Sequence, residues 1–547
     1  MPEKKVRYIV ILGSMMSGLG KGILSASIGK LLQAQGYSVS PIKFDGYLNV
    51  DCGTMNPLRH GEVFVLDDGT ECDMDFGTYE RFLNIDLVGL NSITGGKLFK
   101  KIIEKERAGG YLGRDVQIVP HVTNEIKSWI RKVGEDSKSD FVLIEVGGTV
   151  GDLENAYFIE AMRQMGQEEK DNMLFVQLSF VPSLTCGEPK TKPTQHANRL
   201  ITSLGIQPNL IVCRGDEKLN KEAREKISMF CNVALEDVFD DPKLSTIYEL
   251  PIVLERQNFS SRLLTHFAIK SKESDLKDWS SLVSKIKSDK NELRVAITGK
   301  YVSVKDAYVS VEEALVHAGA ANNANIIVEF VDTEQLEKDL VHEDELLGKY
   351  DGIIVPGGFG NRGVDGKIEA IKYARTHQVP FLGLCLGLQL CVVEYARNVA
   401  NLQGAHSTEM DKDTKYPVID FMPEQKTIKE KGATMRLGAW ECVISKGTKA
   451  FDSYGAEKIF ERHRHRFEVN NSFVPDLQKA GLVISGKSPD GQIVEMVEWG
   501  TGWGVATQAH PELKSRLEKP APLFASFVKA CLKAKKEKAP KDAQASH

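Results

Sequence analysis

The sequence predicts an α/β protein of two doubly wound domains, and three observations lead there. Its 547 residues exceed what a single core organises, at roughly 150 residues per domain. Short β-rich runs alternate with helical patterns twice along the chain, as expected of a parallel sheet covered by helices on both faces. Between the two alternations lies a polar stretch, Ser271–Glu292, that reads as a boundary with room for a short helix around Trp279. The expected organisation is a first domain over 1–270, a linker over 271–291, a second domain over 292–535 and a disordered tail over 536–547.

The first alternation supplies strand-like runs at Tyr8–Leu12, Val39–Phe44, Phe141–Val146, Leu174–Leu178 and Leu210–Cys213. The second supplies Val295–Thr298, Ile326–Val331, Ile353–Val355 and Phe381–Leu384. Hydrophobic residues are 42% and charged residues 27% of the chain, which excludes collagen-like, mucin-like and largely disordered classes. Seventy Lys plus Arg against 75 Asp plus Glu give a formal charge of −5, so the whole chain has no attraction for nucleic acid or an anionic membrane. The longest uncharged apolar-rich stretch, Val379–Val393, contains Pro380 and Gln389 and falls short of the ~18 residues that span a bilayer. Nine scattered cysteines without a C-x-x-C pair, and an N-terminus without a leader pattern, point to reduced thiols in a cytoplasmic protein. The run Lys533–Lys541 reads as a solvated tail, because no aromatic residue is interleaved with its charges.

The first chemical signal follows the first strand. Gly13-Ser14-Met15-Met16-Ser17-Gly18-Leu19-Gly20-Lys21-Gly22-Ile23 leads into a helical pattern with Ile23, Leu24, Ser27, Ile28, Leu31 and Leu32 on one face, closing at Gly36. Strand, glycine loop and helix N-terminus together form an anion site: backbone N–H groups converge, the helix dipole adds positive potential, and Lys21 can reach outer phosphates. The strict phosphate-loop pattern is not met, since Met15 replaces its first glycine and Gly22 replaces the Ser or Thr after the lysine. The reading is therefore P-loop-like. A tight structural turn is the plain alternative. Glu145 ends the apolar run Phe141–Val146, where a magnesium carboxylate sits in phosphate-binding α/β enzymes. Asp73 and Asp75, two apart, would project to one side of an extended segment.

The second signal is Gly383-Leu384-Cys385-Leu386-Gly387. Small residues flanking a nucleophile allow a sharp strand-to-helix turn that exposes it and places helix-start amides beside it. A thiol is mostly protonated near neutral pH and requires a base. His510-Pro511-Glu512 offers an imidazole and a carboxylate to orient it. Pro356-Gly357-Gly358-Phe359-Gly360 is suited to present oxyanion amides. The interleaved arginines of Arg462-His463-Arg464-His465-Arg466 argue against a metal site and for an anion-facing strand.

These segments, with His60–Val63, Tyr79–Phe82, Glu145–Glu154 and Lys190–Gln195, run in order from about residue 8 to about residue 530 and resemble the CTP synthase family. The resemblance implies an N-terminal amidoligase that uses ATP and magnesium to phosphorylate the 4-oxygen of UTP, after which ammonia displaces the phosphate to give CTP. It implies a C-terminal class I glutamine amidotransferase that makes the ammonia through a cysteinyl thioester. GTP as allosteric activator, CTP as inhibitor and a homotetramer, with filaments left open, are further implications.

Carried onto matching residues, the resemblance implies that Lys21 and Lys43 stabilise the transferring phosphate and that Asp75 and Glu145 hold magnesium. ATP would lie on Gly18, Leu19, Gly20, Lys21, Gly22 and Ile23 and reach Asp75 and Leu244. UTP would be read by Ser17, by Lys190, Thr191, Lys192, Pro193, Thr194 and Gln195, and by Lys226. CTP would overlap the triphosphate part of that site and use Asp152, Leu153 and Glu154 for its base. In the second module Cys385 would attack glutamine, His510 would shuttle the proton and Glu512 would orient His510. Gly358, Leu386, Gly387, Leu388, Gln389, Glu409 and Arg466 would bind glutamine, and Arg362 would belong to a lid on which GTP acts.

The chain departs from the usual family pattern at Gly13–Met16, at Gly46, where proline is usual, and at Cys52. One rival is another ATP-dependent glutamine amidotransferase with a different acceptor. The second is a non-catalytic, nucleotide-switched scaffold or filament subunit. Lys190–Gln195 and Asp152–Glu154 speak against the first, and intact Cys385, His510 and Glu512 against the second.

Overall fold

The computed structural model describes residues 5–13, 16–56, 60–183, 188–288, 291–299, 305–338, 342–358, 363–421 and 435–542. The chain packs as two compact units, one of residues 1–52 and 78–283, the other of 53–77 and 284–547.

Among the described residues, the first unit is built on a seven-stranded parallel sheet. Its strands are β1 (Arg7–Gly13), β2 (Val39–Asp45), β3 (Ser92–Thr94), β4 (Phe141–Val146), β5 (Met173–Phe180), β6 (Leu210–Gly215) and β7 (Val238–Pro242), in the order β3-β2-β4-β1-β5-β6-β7. Ile9, Val10, Ile11 and Leu12 are fully buried, as are Phe141, Val142, Leu143 and Ile144. Continuous apolar runs of this kind mark strands covered on both faces. The order reverses at β1, and the carboxyl ends of strands at such a switch point form the usual ligand crevice of open α/β sheets. Helix α1 (Lys21–Ala34) starts there.

The second unit carries a nine-stranded sheet of β8 (Asn291–Gly299), β9 (Ala324–Asp332), β10 (Gly352–Val355), β11 (Phe381–Leu384), β12 (Arg436–Ile444), β13 (Lys458–His465), β14 (Val483–Lys487), β15 (Val494–Glu498) and β16 (Gly504–Thr507). The order is β9-β8-β10-β11-β16-β15-β14-β12-β13. The first five strands of that order are parallel, and from β16 onward the pairings are antiparallel. The antiparallel half did not stand out in the sequence, because β12 and β13 interleave charged and apolar residues on both faces.

Two local expectations are corrected, at Asp73–Asp75 and at the lysine-rich end. Asp73 and Asp75 do not share an extended segment: Asp75 opens the helix Asp75–Leu83, and its N–H donates to the Asp73 carboxylate at 2.9 Å, as a short acid before a helix commonly does. The polar stretch read as a linker holds a short helix around Trp279, over Lys277–Lys287, where the sequence left room for one. Its Trp279 is 1% exposed, donates to the Tyr248 carbonyl at 2.8 Å and packs against Phe82, so one aromatic residue anchors an otherwise polar segment. The lysine-rich end continues the helix Pro522–Asp542, since Ala, Lys and Glu are good helix formers. No helix among the described residues is long and apolar enough to cross a membrane.

Candidate active sites

In the first unit the glycine loop is shaped for an anion. Gly18 and Gly20 have φ of 70° and 95°, a left-handed conformation that side chains resist. Helix α1 then begins without a side-chain cap and without an acid in its first turn, which leaves its N–H groups and dipole to a ligand. Ser17 and Gly18 are exposed, whereas Leu19 is buried beneath the loop. The Lys21 ammonium, on an otherwise buried side chain, donates to the Gly148 carbonyl at 2.6 Å. It folds back so closely that a Cβ at Gly13 would stand 2.7 Å from the lysine Cδ.

Neighbouring strands bring further charges to the same sheet end. Lys43 is the register partner of Glu145 and lies 3.5 Å from Asp45. Glu145 is 2% exposed and accepts a hydrogen bond from the Tyr79 hydroxyl. The turn after β4 carries Asp152, whose carboxylate accepts from the Thr149 N–H at 2.7 Å and would lie 3.0 Å from a Cβ at Gly148. Leu153 and Glu154 are exposed. The same turn touches the helix Lys192–Ser203, since a Cβ at Gly151 would stand 3.0 Å from Leu200. Lys190 and Thr191 precede that helix, Lys192 opens it, and Pro193 occupies its first turn. The buried side-chain oxygens of Thr194 and Gln195 have no hydrogen-bond partner. Lys190 pairs with Glu188 at 2.7 Å and Lys226 with Glu222 at 2.6 Å. The Lys190 hydrogen bond, with lesser help from the Lys226 charge, holds the Glu188 carboxyl below its ordinary value. Gly22 is buried, Ile23 and Leu244 are half-buried.

One residue at this end was missed by the sequence reading. The guanidinium of Arg214 would lie 3.1 Å from a Cβ at Gly20, and it pairs with Asp241 at 3.1 Å. Burial pushes the Asp241 carboxyl up against that pairing. The available signal was position alone, an arginine at the carboxyl end of an apolar strand.

The second unit assembles its thiol centre from adjacent strand ends. Leu384 of β11 and Thr507 of β16 are register partners, and the Cys385 N–H donates to the Thr507 carbonyl at 2.8 Å. Cys385 and the segment leading to His510 therefore leave the sheet side by side. Cys385 has φ 51° and ψ −99° immediately before the helix Leu386–Asn398, a strained conformation of the kind that collects at functional sites. His510 Nδ1 lies 2.7 Å from the Glu512 carboxylate, while its buried Nε2 has no hydrogen-bond partner. Burial pushes the imidazolium down, yet Glu512 and the Cys385 sulfur outweigh it and hold His510 well above the ordinary histidine value.

A cavity of about 590 Å³ is lined by Cys385, His510, Glu512, Gly358, Glu409 and Arg466, and it extends to Gly53, Met55, Glu62 and Tyr308. Leu386, Gly387 and Leu388 form the buried start of the helix behind it. Gln389 is not among the cavity's lining residues and donates to the carbonyl of Phe467, which is, at 2.9 Å. Arg362 lies outside the described residues. The anions facing the arginine strand are acids of the chain itself. Arg462 pairs with Asp67 at 2.5 Å and Arg464 with Glu71 at 2.8 Å, whereas His463 and His465 are buried.

The model of the CTP synthase N-terminus matches residues 7–269, and that of class-I glutamine amidotransferases matches residues 303–530. The chain is 49% identical over 532 residues to a CTP synthase of Symbiobacterium thermophilum, covering 96% of this chain and 98% of the relative. It is 48% identical over 538 residues to a CTP synthase of Methanocaldococcus jannaschii, covering 97% and 99%. The solved glutaminase domain of a Trypanosoma brucei CTPS with bound acivicin is 39% identical, covering 44% of this chain and 94% of that one, with a TM-score of 0.41. With both family models matched and near-complete coverage at close to half identity, the chain belongs to the CTP synthase family.

Proposed function

We propose that this chain aminates UTP to CTP, using ATP to activate the pyrimidine and glutamine to supply the nitrogen. The observation that carries the reading is that one chain holds a Cys385–His510–Glu512 centre lining a cavity of about 590 Å³ and, in its other unit, a glycine loop with Lys21 folded against it.

In the glutaminase half, the Cys385 sulfur attacks the side-chain amide carbon of glutamine, and the carbonyl π electrons move onto oxygen. The raised basicity of His510 supports its role in taking the thiol proton and handing it to the leaving nitrogen. Collapse of the tetrahedral adduct expels ammonia and leaves a γ-glutamyl thioester, which water hydrolyses to glutamate. Gly358 and neighbouring amides are assigned to the oxyanion, and Glu409 and Arg466 to the glutamine backbone. Leu386–Gln389 would support that pocket from the helix start.

In the synthetase half, the γ-phosphoryl group of ATP passes to the 4-oxygen of UTP, because hydroxide is too poor a leaving group. Ammonia then adds at C4 and phosphate departs. Lys21 and Lys43 are assigned to the charge on the transferring group, and Gly18–Ile23 with Leu244 to ATP. Ser17, Lys190–Gln195 and Lys226 are assigned to UTP, and Asp152–Glu154 to the base of inhibitory CTP. Arg214 joins this set as a further cation beside the loop.

No group of three His, Cys, Asp or Glu side chains suited to a metal occurs among the described residues. Magnesium on nucleotide phosphates commonly uses one or two carboxylates, and Glu145 and Asp75 are the residues assigned to it by the family resemblance. When bound, magnesium neutralises phosphate charge. Activation by GTP, assembly as a homotetramer and a cytoplasmic location complete the proposal.

The test supplies UTP, ATP, magnesium and glutamine labelled at the amide nitrogen. The expected result is CTP bearing the label at its 4-amino group. Glutamine hydrolysis without CTP, and with turnover of a different acceptor, would overturn the assignment of UTP.

A further inference from the structure

We propose that Gln508 is a further catalytic residue of the thiol centre: its carboxamide N–H donates to the Cys385 sulfur and favours the thiolate that attacks glutamine. The inference rests on the glutaminase reading above and names a group that reading does not use.

The geometry determines which end of the carboxamide faces the sulfur. The Phe467 carbonyl can only accept, and Gln389 Nε2 lies 2.9 Å from it. The second hydrogen of that same nitrogen is directed at Gln508, whose Oε1 is 3.4 Å away. Gln508 must therefore present its oxygen to Gln389, which leaves its Nε2 as donor 3.6 Å from the Cys385 sulfur. Gln508 is fully buried. Its N–H donates to the Glu495 carbonyl at 2.8 Å, so the side chain is aimed from an anchored backbone.

The sulfur sits between two opposed partners. The Arg464 carbonyl, 3.8 Å away, accepts from S–H and favours the neutral thiol. The Gln508 amide donates and favours the anion, because a hydrogen bond to a charged acceptor is roughly twice as strong as a neutral one. As the proton passes to His510, the contact with Arg464 loses its donor and the contact with Gln508 strengthens. The charged or titratable groups sharing this cavity with Cys385 are His510, Glu512, Glu409, Glu62, Tyr308, Arg464 and Arg466.

The test uses the full chain with Gln508→Met, which keeps the length and removes the donor, and Gln508→Glu, which keeps the shape and turns an oxygen toward sulfur. The readouts are the pH profile of Cys385 alkylation by iodoacetamide, and kcat and KM for glutamine hydrolysis; synthesis from ammonium chloride reports folding. Both alkylation profiles should move to higher pH, further for Glu than for Met. Hydrolysis kcat should fall about tenfold with little change in KM, the effect expected of one charge-assisted hydrogen bond. A space-filling role predicts instead that Glu is the milder change and that the profiles coincide with wild type. Coincident profiles in folded variants overturn the proposal. If neither variant folds, a crystal structure of the wild-type enzyme with a free thiol decides: Nε2 within about 4 Å of sulfur supports the donor, and a carboxamide turned away refutes it. A wild-type enzyme that releases no glutamate would refute the glutaminase reading itself, a different outcome from hydrolysis that is insensitive to residue 508.

Discussion

Gly357 lies against the imidazole of His510: a Cβ at this glycine would stand 2.7 Å from His510 Cε1 and 3.6 Å from Cys385 Cβ. The ring cannot swing aside without breaking its 2.7 Å contact with Glu512. Gly357→Ala should therefore displace the base. A misplacement of this size costs on the order of 100-fold in rate, so glutamine hydrolysis should fall by about that factor while ammonia-driven synthesis continues. Comparing the two nitrogen sources in one preparation checks it, and equal loss of both counts against a local effect.

Cys385→Ala removes the nucleophile and leaves the nucleotide chemistry intact. Glutamine-dependent CTP formation should vanish, and formation from ammonium salts should persist. Loss of both would contradict the division of labour between the two units.

Lys21→Ala tests the other half. The ammonium sits at the start of α1, held on the Gly148 carbonyl. Without it synthesis from either nitrogen source should drop by at least about 100-fold, the scale of one well-placed charge in a phosphoryl or acyl transition state. Glutaminase turnover should remain measurable. Unimpaired synthesis would show that the loop does not serve phosphate transfer.

Asp67 is joined to two cations, Arg462 at 2.5 Å and Lys514 at 3.0 Å. Burial pushes its carboxyl up, but these two outweigh it and hold it below the ordinary value. Arg462 is fully buried. Asp67→Ala removes this carboxylate from the guanidinium and should cost about 2 kcal/mol, less than a fully buried pair because Asp67 is partly exposed. Urea denaturation followed by fluorescence measures the change. A stability within experimental error of wild type would mean that water replaces the carboxylate.

Glu461 sets a pH dependence of stability. Burial raises its carboxyl to about 7, against an ordinary 4.5, despite a hydrogen bond from Tyr454. The folded state therefore holds this proton more tightly than the unfolded state. That contribution is complete below about pH 4.5 and is lost as pH rises through about 7, a swing of about 3 kcal/mol. Glu461→Gln should be more stable than wild type at pH 8, with the difference closing towards pH 4.5. Thermal melts across that range check the sign, and a gap that widens on acidification would reverse it.

The sequence by itself determined the local parts of this protein. The runs that became β1, β4 and β11 are apolar apart from Arg7 and Glu145 because both faces are covered, and that burial is written residue by residue. The glycines around Lys21 and Cys385 were legible for a similar reason, since turns of positive φ or close approach leave few other choices. Tertiary structure alone decided the rest. Asp67 and Arg462 are 395 positions apart, and Gln508 and Cys385 are 123 apart. Nothing periodic in the chain marks such pairs. An arginine reads as a surface residue until its carboxylate is in view, and a glutamine reads as filler until the acceptors around it determine which way its amide points. Those polar contacts arise from where strands end in space, which is a property of the folded sheet and not of any segment within it.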